Sequence, residues 1–279
     1  MGVLIPTSLD DALEGLAGHP GAQPLAGGTD FMVEVNFGHR RPTDVVVLDR
    51  LAELKGWERR ADELRIGAGT TYARLRQPEL AALVPALAEA ARTVGSPQIR
   101  AAGTIGGNLA TCSPAGDMLP VLSALDATVE LASVRGRRRL SVHEFMVGVK
   151  RTALAPDELV VSVTVPVLAG WQGFAKVGVR NAMVISVVGV CLATDRTARS
   201  VRVAMGAVGP TILRAPAAEA WLAGEIDWDA GRVGAAAAGE FGQRVAAAAR
   251  PIDDHRSTAD YRRHAVSVLA ARLAQRAFA

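Results

Sequence analysis

Two glycine-bearing loops are the residues whose types and spacing bear most directly on chemistry. One is Leu25-Ala26-Gly27-Gly28-Thr29-Asp30, the other Gly103-Thr104-Ile105-Gly106-Gly107-Asn108. Adjacent glycines remove the Cβ atoms that would hold a ligand away from the backbone. Successive backbone N–H groups form a concavity suited to an anion. Thr29 adds a hydroxyl to the first loop, and the second repeats the chemistry with Thr104 and the carboxamide of Asn108. The first loop also reads as a strand-to-helix turn capped by Thr29 or Asp30. Neither loop has the GxxxxGK[ST] or GxGxxG spacing. One loop serves a mononucleotide phosphate, whereas a diphosphate with an extended tail can use two. The pair therefore suggests a dinucleotide cofactor laid between two subdomains. Asp117, which follows Ser113-Pro114-Ala115-Gly116, has two readings: an acceptor for a polyol or ring N–H group, or the cap of a helix beginning near Met118.

Other chemistry finds little support. Cys112 and Cys191 show no CxxC and no Cys/His cluster, too few ligands for an iron–sulfur centre or a structural zinc. No Ser/His/Asp set assembles, and His143 reads as a surface residue. Arg135, Arg137, Arg138 and Arg139 read as a solvated hairpin. Lys+Arg 31 against Asp+Glu 28 leaves +3, too small to demand a nucleic-acid partner, and aromatics are only 4%, too few for stacking platforms. The N-terminus lacks the charged and apolar regions of a signal peptide. The longest apolar stretch, Met183 to Ala193, is about half a membrane span. These features predict a soluble, cytoplasmic protein with no integral membrane span.

The elements that must position the loops follow from pattern. Thr7 or Ser8 can cap a helix with Asp10 and Asp11 in its first turn. Phe31 to Phe37 is amphipathic, and Val45 to Leu48 reads as a buried strand. Residues 54–67 form a hairpin turning at Ala61-Asp62, and 79–93 have helical spacing. Residues 95–131 begin as a long irregular loop, of the kind that is usually functional. Leu159 to Pro166 reads as a strand. Residues 174–190 and 200–208 read as a long antiparallel pair, and 213–223, 229–249 and 257–277 as helices, the last opened by Ser257 with Asp260 as a capping box. The expected organisation is α+β: residues 1–170, with subdomains about 1–53 and 54–170, and then residues 171–279.

In order and spacing, Leu25–Asp30, Gly103–Asn108 and Ser113-Pro114-Ala115-Gly116-Asp117 resemble the flavin subunit of molybdenum hydroxylases, the family of xanthine dehydrogenase and aerobic carbon monoxide dehydrogenase. Gly173-Phe174-Ala175-Lys176 with Arg180, and the tail Arg256–Arg263, are similar to stretches of that family's C-terminal domain. The resemblance implies a PCMH/vanillyl-alcohol-oxidase-type FAD-binding domain of two α+β subdomains, then a flavoprotein C-terminal domain with a three-stranded antiparallel sheet and helices. It implies that Leu25, Ala26, Gly27, Gly28, Thr29, Asp30, Thr104, Ile105, Gly106, Gly107 and Asn108 hold the FAD diphosphate and ribityl region, with further contacts from Asp117, Val160 and Lys176. No histidine stands beside either loop, so the FAD is expected to be non-covalent. The implied partners are a large molybdopterin subunit and a small [2Fe–2S] subunit, in a heterotrimer that dimerises. The implied acceptor is NAD+, O2 or a quinone. The implied complex is an oxidoreductase of xanthine dehydrogenase type. The alternatives are carbon monoxide, aldehyde or N-heterocycle dehydrogenases. From other classes come a flavin-binding subunit that does not turn over and a self-contained oxidase.

Overall fold

The computed structural model describes residues 2–279. The chain opens with β1 (Gly2–Leu4), α1 (Leu9–Gly18), β2 (Gln23–Leu25), α2 (Phe31–Asn36) and β3 (Asp44–Val47). The three strands form a parallel sheet in the order β1-β3-β2, the arrangement that helical crossovers impose. Ser8 caps α1 by accepting from the Asp11 amide, and Asp10 and Asp11 oppose the helix dipole. Leu9, Ala12, Leu13 and Leu16 share one face, which packs on Val46, Leu51 and Leu54.

A hairpin follows, β4 (Trp57–Arg60) and β5 (Glu63–Gly67), turning through Ala61 in the left-handed region. The chain then makes six short helices: α3 (Tyr72–Leu75), α4 (Pro78–Leu83), α5 (Pro85–Thr93), α6 (Pro97–Ala102), α7 (Ile105–Thr111) and α8 (Met118–Ala124). The stretch expected to be irregular is therefore largely helical, and the helix expected over 79–93 is two. Pro85 explains the second point, because it forces Val84 out of helical geometry (φ −137, ψ 73) and restarts the helix from its own first turn. Next come β6 (Thr128–Ser133), β7 (Gly136–Ser141), α9 (Val142–Phe145), β8 (Met146–Gly148), β9 (Arg151–Thr152) and β10 (Leu159–Pro166). Strands β4-β5-β10-β6-β7 make an antiparallel sheet, and β8-β9 is a small separate hairpin.

The last part holds β11 (Gln172–Val177), β12 (Val188–Asp195), β13 (Ser200–Gly206) and β14 (Leu213–Arg214), followed by α10 (Pro216–Glu225), α11 (Ala235–Ala248) and α12 (Ala259–Ala277). The implied three-stranded sheet is four-stranded, with the two-residue β14 at its edge. The long strand expected over 174–190 is interrupted: residues 178–187 leave the sheet and return where the Val187 amide meets the Val177 carbonyl. Thr258, not Ser257, caps α12 by accepting from the Tyr261 amide, because Ser257 is paired with Asp254.

The C-terminal sheet separates two cores by strand periodicity. Val188, Val190 and Leu192 of β12 face α11 and α12, while Cys191 and Ala193 face the helices of the central sheet. That second face is small for a reason. A Cβ on Gly206 would stand 2.9 Å from Pro120 of α8, so the helix lies directly on the strand.

Arg262 ties α12 to this sheet. It is buried and donates to the Val187 and Ala207 carbonyls and to Asp254 Oδ1, the last at 2.6 Å. Burial alone would raise the Asp254 carboxyl. The Arg256 amide and the Arg262 and Arg256 guanidinium groups outweigh it and hold the carboxyl down at about 2, from an ordinary 3.8. A folded value below the unfolded one stabilises above pH about 4 and is lost as pH falls towards 2. Asp254→Asn should therefore lower stability at neutral pH and flatten the acid limb between pH about 4 and 2. Denaturant titrations across that pH range read both effects.

Candidate functional site

Three segments meet at one corner. Leaving β2, the chain passes through Ala26–Asp30 with Gly28 at φ +70, a conformation costly for any side chain. Gly27 has no room for one either, because its Cβ would fall on the carbonyl oxygen of Ala102, at the junction of α6 and α7. The first loop is thus laid directly on the start of the second. Among the described residues, the amides of Ala26, Gly27, Gly28, Thr29 and Asp30 donate to no protein acceptor. Asp30 precedes α2 in helical geometry and makes no side-chain cap, so neither it nor Thr29 fills the row of amides. Its carboxylate instead accepts from Thr111 Oγ1 at the far end of α7, at 3.4 Å.

The second loop is built differently from the sequence expectation. Thr104 caps α7 and accepts from the Gly107 amide at 3.0 Å. The Ile105 amide is spent on the Thr70 carbonyl and the Gly106 amide on the Ala68 carbonyl. Gly106 is glycine because a Cβ there would lie 2.6 Å from the Ala68 Cβ. These amides fix α7 to the central sheet and are not open to an anion. What the second loop presents is Asn108, whose Oδ1 is sealed from solvent without a hydrogen-bond donor.

The third segment, Ser113–Asp117, docks on the second. A Cβ on Gly116 would stand 3.1 Å from Asn108 Oδ1 and 3.2 Å from Nδ2, so the carboxamide lies over that glycine. The Pro114 carbonyl accepts from Ala207, pinning the segment to the C-terminal sheet. Asp117 is buried and makes no helix cap. Its carboxylate accepts from Lys176 Nζ at 2.6 Å, Ser186 Oγ at 2.5 Å and Thr93 Oγ1 at 3.0 Å. Lys176 is 8% exposed and also reaches the Thr93 carbonyl. Asp117 and Lys176 are therefore brought together, and they satisfy each other. Val160 lies in β10, in the core shared with Ile105 and Leu109, behind α7.

The rim of the corner is a contact between the parallel sheet unit and the β8-β9 hairpin. Lys150 Nζ donates to Glu34 Oε1 at 2.5 Å and, with a Coulomb contribution, lowers that carboxyl. The Lys150 amide also donates to the Cys112 carbonyl at the end of α7. Burial pushes the Cys112 thiol up, away from a reactive thiolate. His143 approaches Asp126 at 3.5 Å, and Arg135 and Arg138 pair with Asp157 and Glu158 on the hairpin side, away from the loops.

Sequence reasoning missed Tyr72, Thr93 and Ser186. Ser186 did carry a signal, as a lone hydroxyl in an apolar run that needs a buried partner. Tyr72 is buried with its ring against Gly103. Burial pushes its phenol well above the ordinary range.

A row of free amides in a glycine turn fits a ligand that carries a diphosphate, as FAD does. Residues 1–168 match the FAD binding domain in molybdopterin dehydrogenase, and residues 174–277 match the CO dehydrogenase flavoprotein C-terminal domain. The chain is similar to the glyceraldehyde dehydrogenase medium chain of Sulfolobus acidocaldarius, 32% identical over 94% of this chain and 92% of that one. It is similar to the xanthine dehydrogenase FAD-binding subunit of Escherichia coli, 34% identical over 76% of this chain and 75% of that one. In three dimensions it resembles a chain of quinoline 2-oxidoreductase from Pseudomonas putida, with a TM-score of 0.91 and 26% identity over 99% of this chain and 96% of that one.

Removing one partner of a buried ion pair leaves an uncompensated charge. Lys176→Met should cost about 3–5 kcal/mol, and adding Asp117→Asn should recover part of it. Urea unfolding of the two variants measures the difference. Equal stability of Lys176→Met and wild type would show that the pair carries no such load.

Proposed function

The chain belongs to the family of FAD-binding domains in molybdopterin dehydrogenases, and from that premise we propose that it is the FAD-binding medium subunit of a heteromeric molybdenum hydroxylase. The observation that carries this reading is the unbroken row of unpaired amides from Ala26 to Asp30. We assign the diphosphate to those amides, with Leu25 and the Thr29 hydroxyl flanking them. Thr104, Ile105, Gly106 and Gly107 hold Asn108 in place for the ribityl region. Asp117 and Lys176 border the site as a charge-balanced pair, and Val160 supports α7 from the core. The FAD is held without a covalent bond, since no histidine lies in either loop.

Residues 1–170, divided near 53, form the FAD-binding unit in this proposal, and residues 171–279 the C-terminal unit. The separate parallel and antiparallel sheets and the change of sheet after β10 support that division. Bound FAD supplies the one- and two-electron chemistry that couples [2Fe–2S] clusters of a small partner subunit to NAD+, O2 or a quinone. Organic substrate and molybdopterin would be bound by a large subunit. Purine-type chemistry is supported by the xanthine relative at 34% identity, and aldehyde chemistry by the glyceraldehyde relative at 32%. The proposed location is cytoplasmic; among the described residues no helix is long and apolar enough to cross a membrane.

Heating the purified chain should release flavin that runs as FAD on chromatography, at about one per chain. FMN as the main species, or flavin retained after denaturation, would count against the diphosphate assignment or the non-covalent one respectively. The isolated chain should oxidise neither a purine nor an aldehyde. Co-expressed with its partners, it should elute from size exclusion in a peak holding molybdenum, iron and FAD.

A further inference from the structure

The amides of Ala26–Asp30 are neutral, whereas a diphosphate is an anion. The carboxylates of Asp30 and of Glu34, whose amide donates to the Asp30 carbonyl one helical turn on, oppose such a ligand. Balancing that charge takes a cation close by, and several basic groups around the corner are already spent. Lys176 is buried between Asp117 and the Thr93 carbonyl. Arg40 lies over the Phe31 ring at 5.0 Å. Arg100 donates to the Val94 and Gly95 carbonyls. Lys150 is different. Its amide donates to the Cys112 carbonyl at 3.1 Å, beside Thr111, whose hydroxyl donates to Asp30. Its ammonium stands 2.5 Å from Glu34 Oε1. Root and tip of the side chain are thus both tied next to the last residue of the first loop. The side chain is 52% exposed, so its ion pair contributes little to folding and costs little to exchange. The backbone beneath it is strained. Lys150 has φ +51 and its partner Cys112 φ +46, two non-glycine residues in the left-handed region joined by one hydrogen bond. Strain of that kind persists only where the surrounding structure imposes it, and it gathers at ligand sites.

We propose that Lys150 is the charge partner of the FAD diphosphate, an ammonium that Glu34 holds at the edge of the first loop and that the phosphate oxygens take from it. The inference rests on the assignment of the diphosphate to Ala26–Asp30. It differs in sign from a structural ion pair. In a structural pair, loss of either member removes the same contact. Here Glu34 competes with phosphate for one ammonium, so the two residues act on FAD binding in opposite directions.

The test titrates deflavinated protein with FAD at low and high salt, following flavin fluorescence, and records the melting temperature of the deflavinated protein. Four forms are compared: wild type, Lys150→Met, Lys150→Arg and Glu34→Gln. Lys150→Met should bind FAD about tenfold more weakly and with a shallower dependence on salt. Lys150→Arg should keep most of the affinity, and Glu34→Gln should bind about threefold more tightly. ADP-ribose, which carries the diphosphate without the flavin, should compete with FAD and lose affinity by the same factor in Lys150→Met. Melting should be unchanged throughout. Unchanged FAD affinity in Lys150→Met overturns the proposal. So does weakening in both Lys150→Met and Glu34→Gln, an affinity loss matched by a fall in melting, or a loss for FAD that ADP-ribose does not share. Failure of wild type to bind either nucleotide sinks the diphosphate assignment instead, so the two failures are told apart.

Discussion

The arrangement of the site depends on one close approach, the backbone of Gly27 against the carbonyl of Ala102. It brings the turn after a strand of the parallel sheet onto the junction of two helices that belong to the antiparallel sheet. Any side chain at residue 27 would force these units apart, since the obstructing atom is backbone and has no rotamer to yield. Two further glycines extend the same principle. Gly106 lets α7 lie on Ala68, and Gly116 lets Asn108 lie over the third segment. Loops from different sheets are thus held together by missing side chains. The polar links between them, Asp30 with Thr111 and Glu34 with Lys150, lie nearer the surface, where ion pairs contribute little.

The C-terminal sheet is fastened by a different device. Under α8, β12 and β13 carry the small residues Gly189, Cys191, Ala193, Ala204 and Gly206, with Phe174 and Lys176 of β11 beside them, so Pro120 can sit close. An apolar contact of that kind is weak in register. The pair Asp117–Lys176 supplies the register, because a buried carboxylate must find its cation. Desolvating both groups consumes much of the Coulomb energy gained. The pair is tolerated because Ser186 and Thr93 complete the carboxylate's hydrogen bonds and the Thr93 carbonyl takes another from the ammonium. Glu89 of α5 repeats the link on a smaller scale, accepting from the Phe174 amide and pairing with Arg276 of α12.

Sequence pattern made much of the frame legible, and the reasons are local. Alternation exposed β10, capping exposed α1, and the Ala61-Asp62 turn exposed the first hairpin, since each is decided within a few residues. The interruption at 178–187 was hidden because its residues are as apolar as the strands around it. Gly27, Gly28, Gly106 and Gly107 were visible as loop glycines, but their division of labour was not. Sequence shows that a Cβ is absent and says nothing of what lies in its place, a neighbouring carbonyl at Gly27 or a positive φ at Gly28. Likewise Asp117 had two plausible readings as a ligand group or a cap, and its actual partners stand 24 residues before it and 59 and 69 after it. Contacts of that range leave no periodicity to read.

The free amides of Ala26–Asp30 bear on stability as well as binding. Backbone donors are rarely left unpaired away from water, and all of this row except Asp30 is half-buried. The loop amides are partly open to solvent, whereas Asn108 Oδ1 is buried without a protein donor. A cofactor that contacts both loops would join the two sheet units through interactions neither can make alone. Such binding adds RT ln(1 + [L]/Kd) to folding, about 2.7 kcal/mol at a hundredfold excess over Kd. On the proposed assignment, the geometry that prepares the site for its cofactor would also make the cofactor the tie between the first loop and the second.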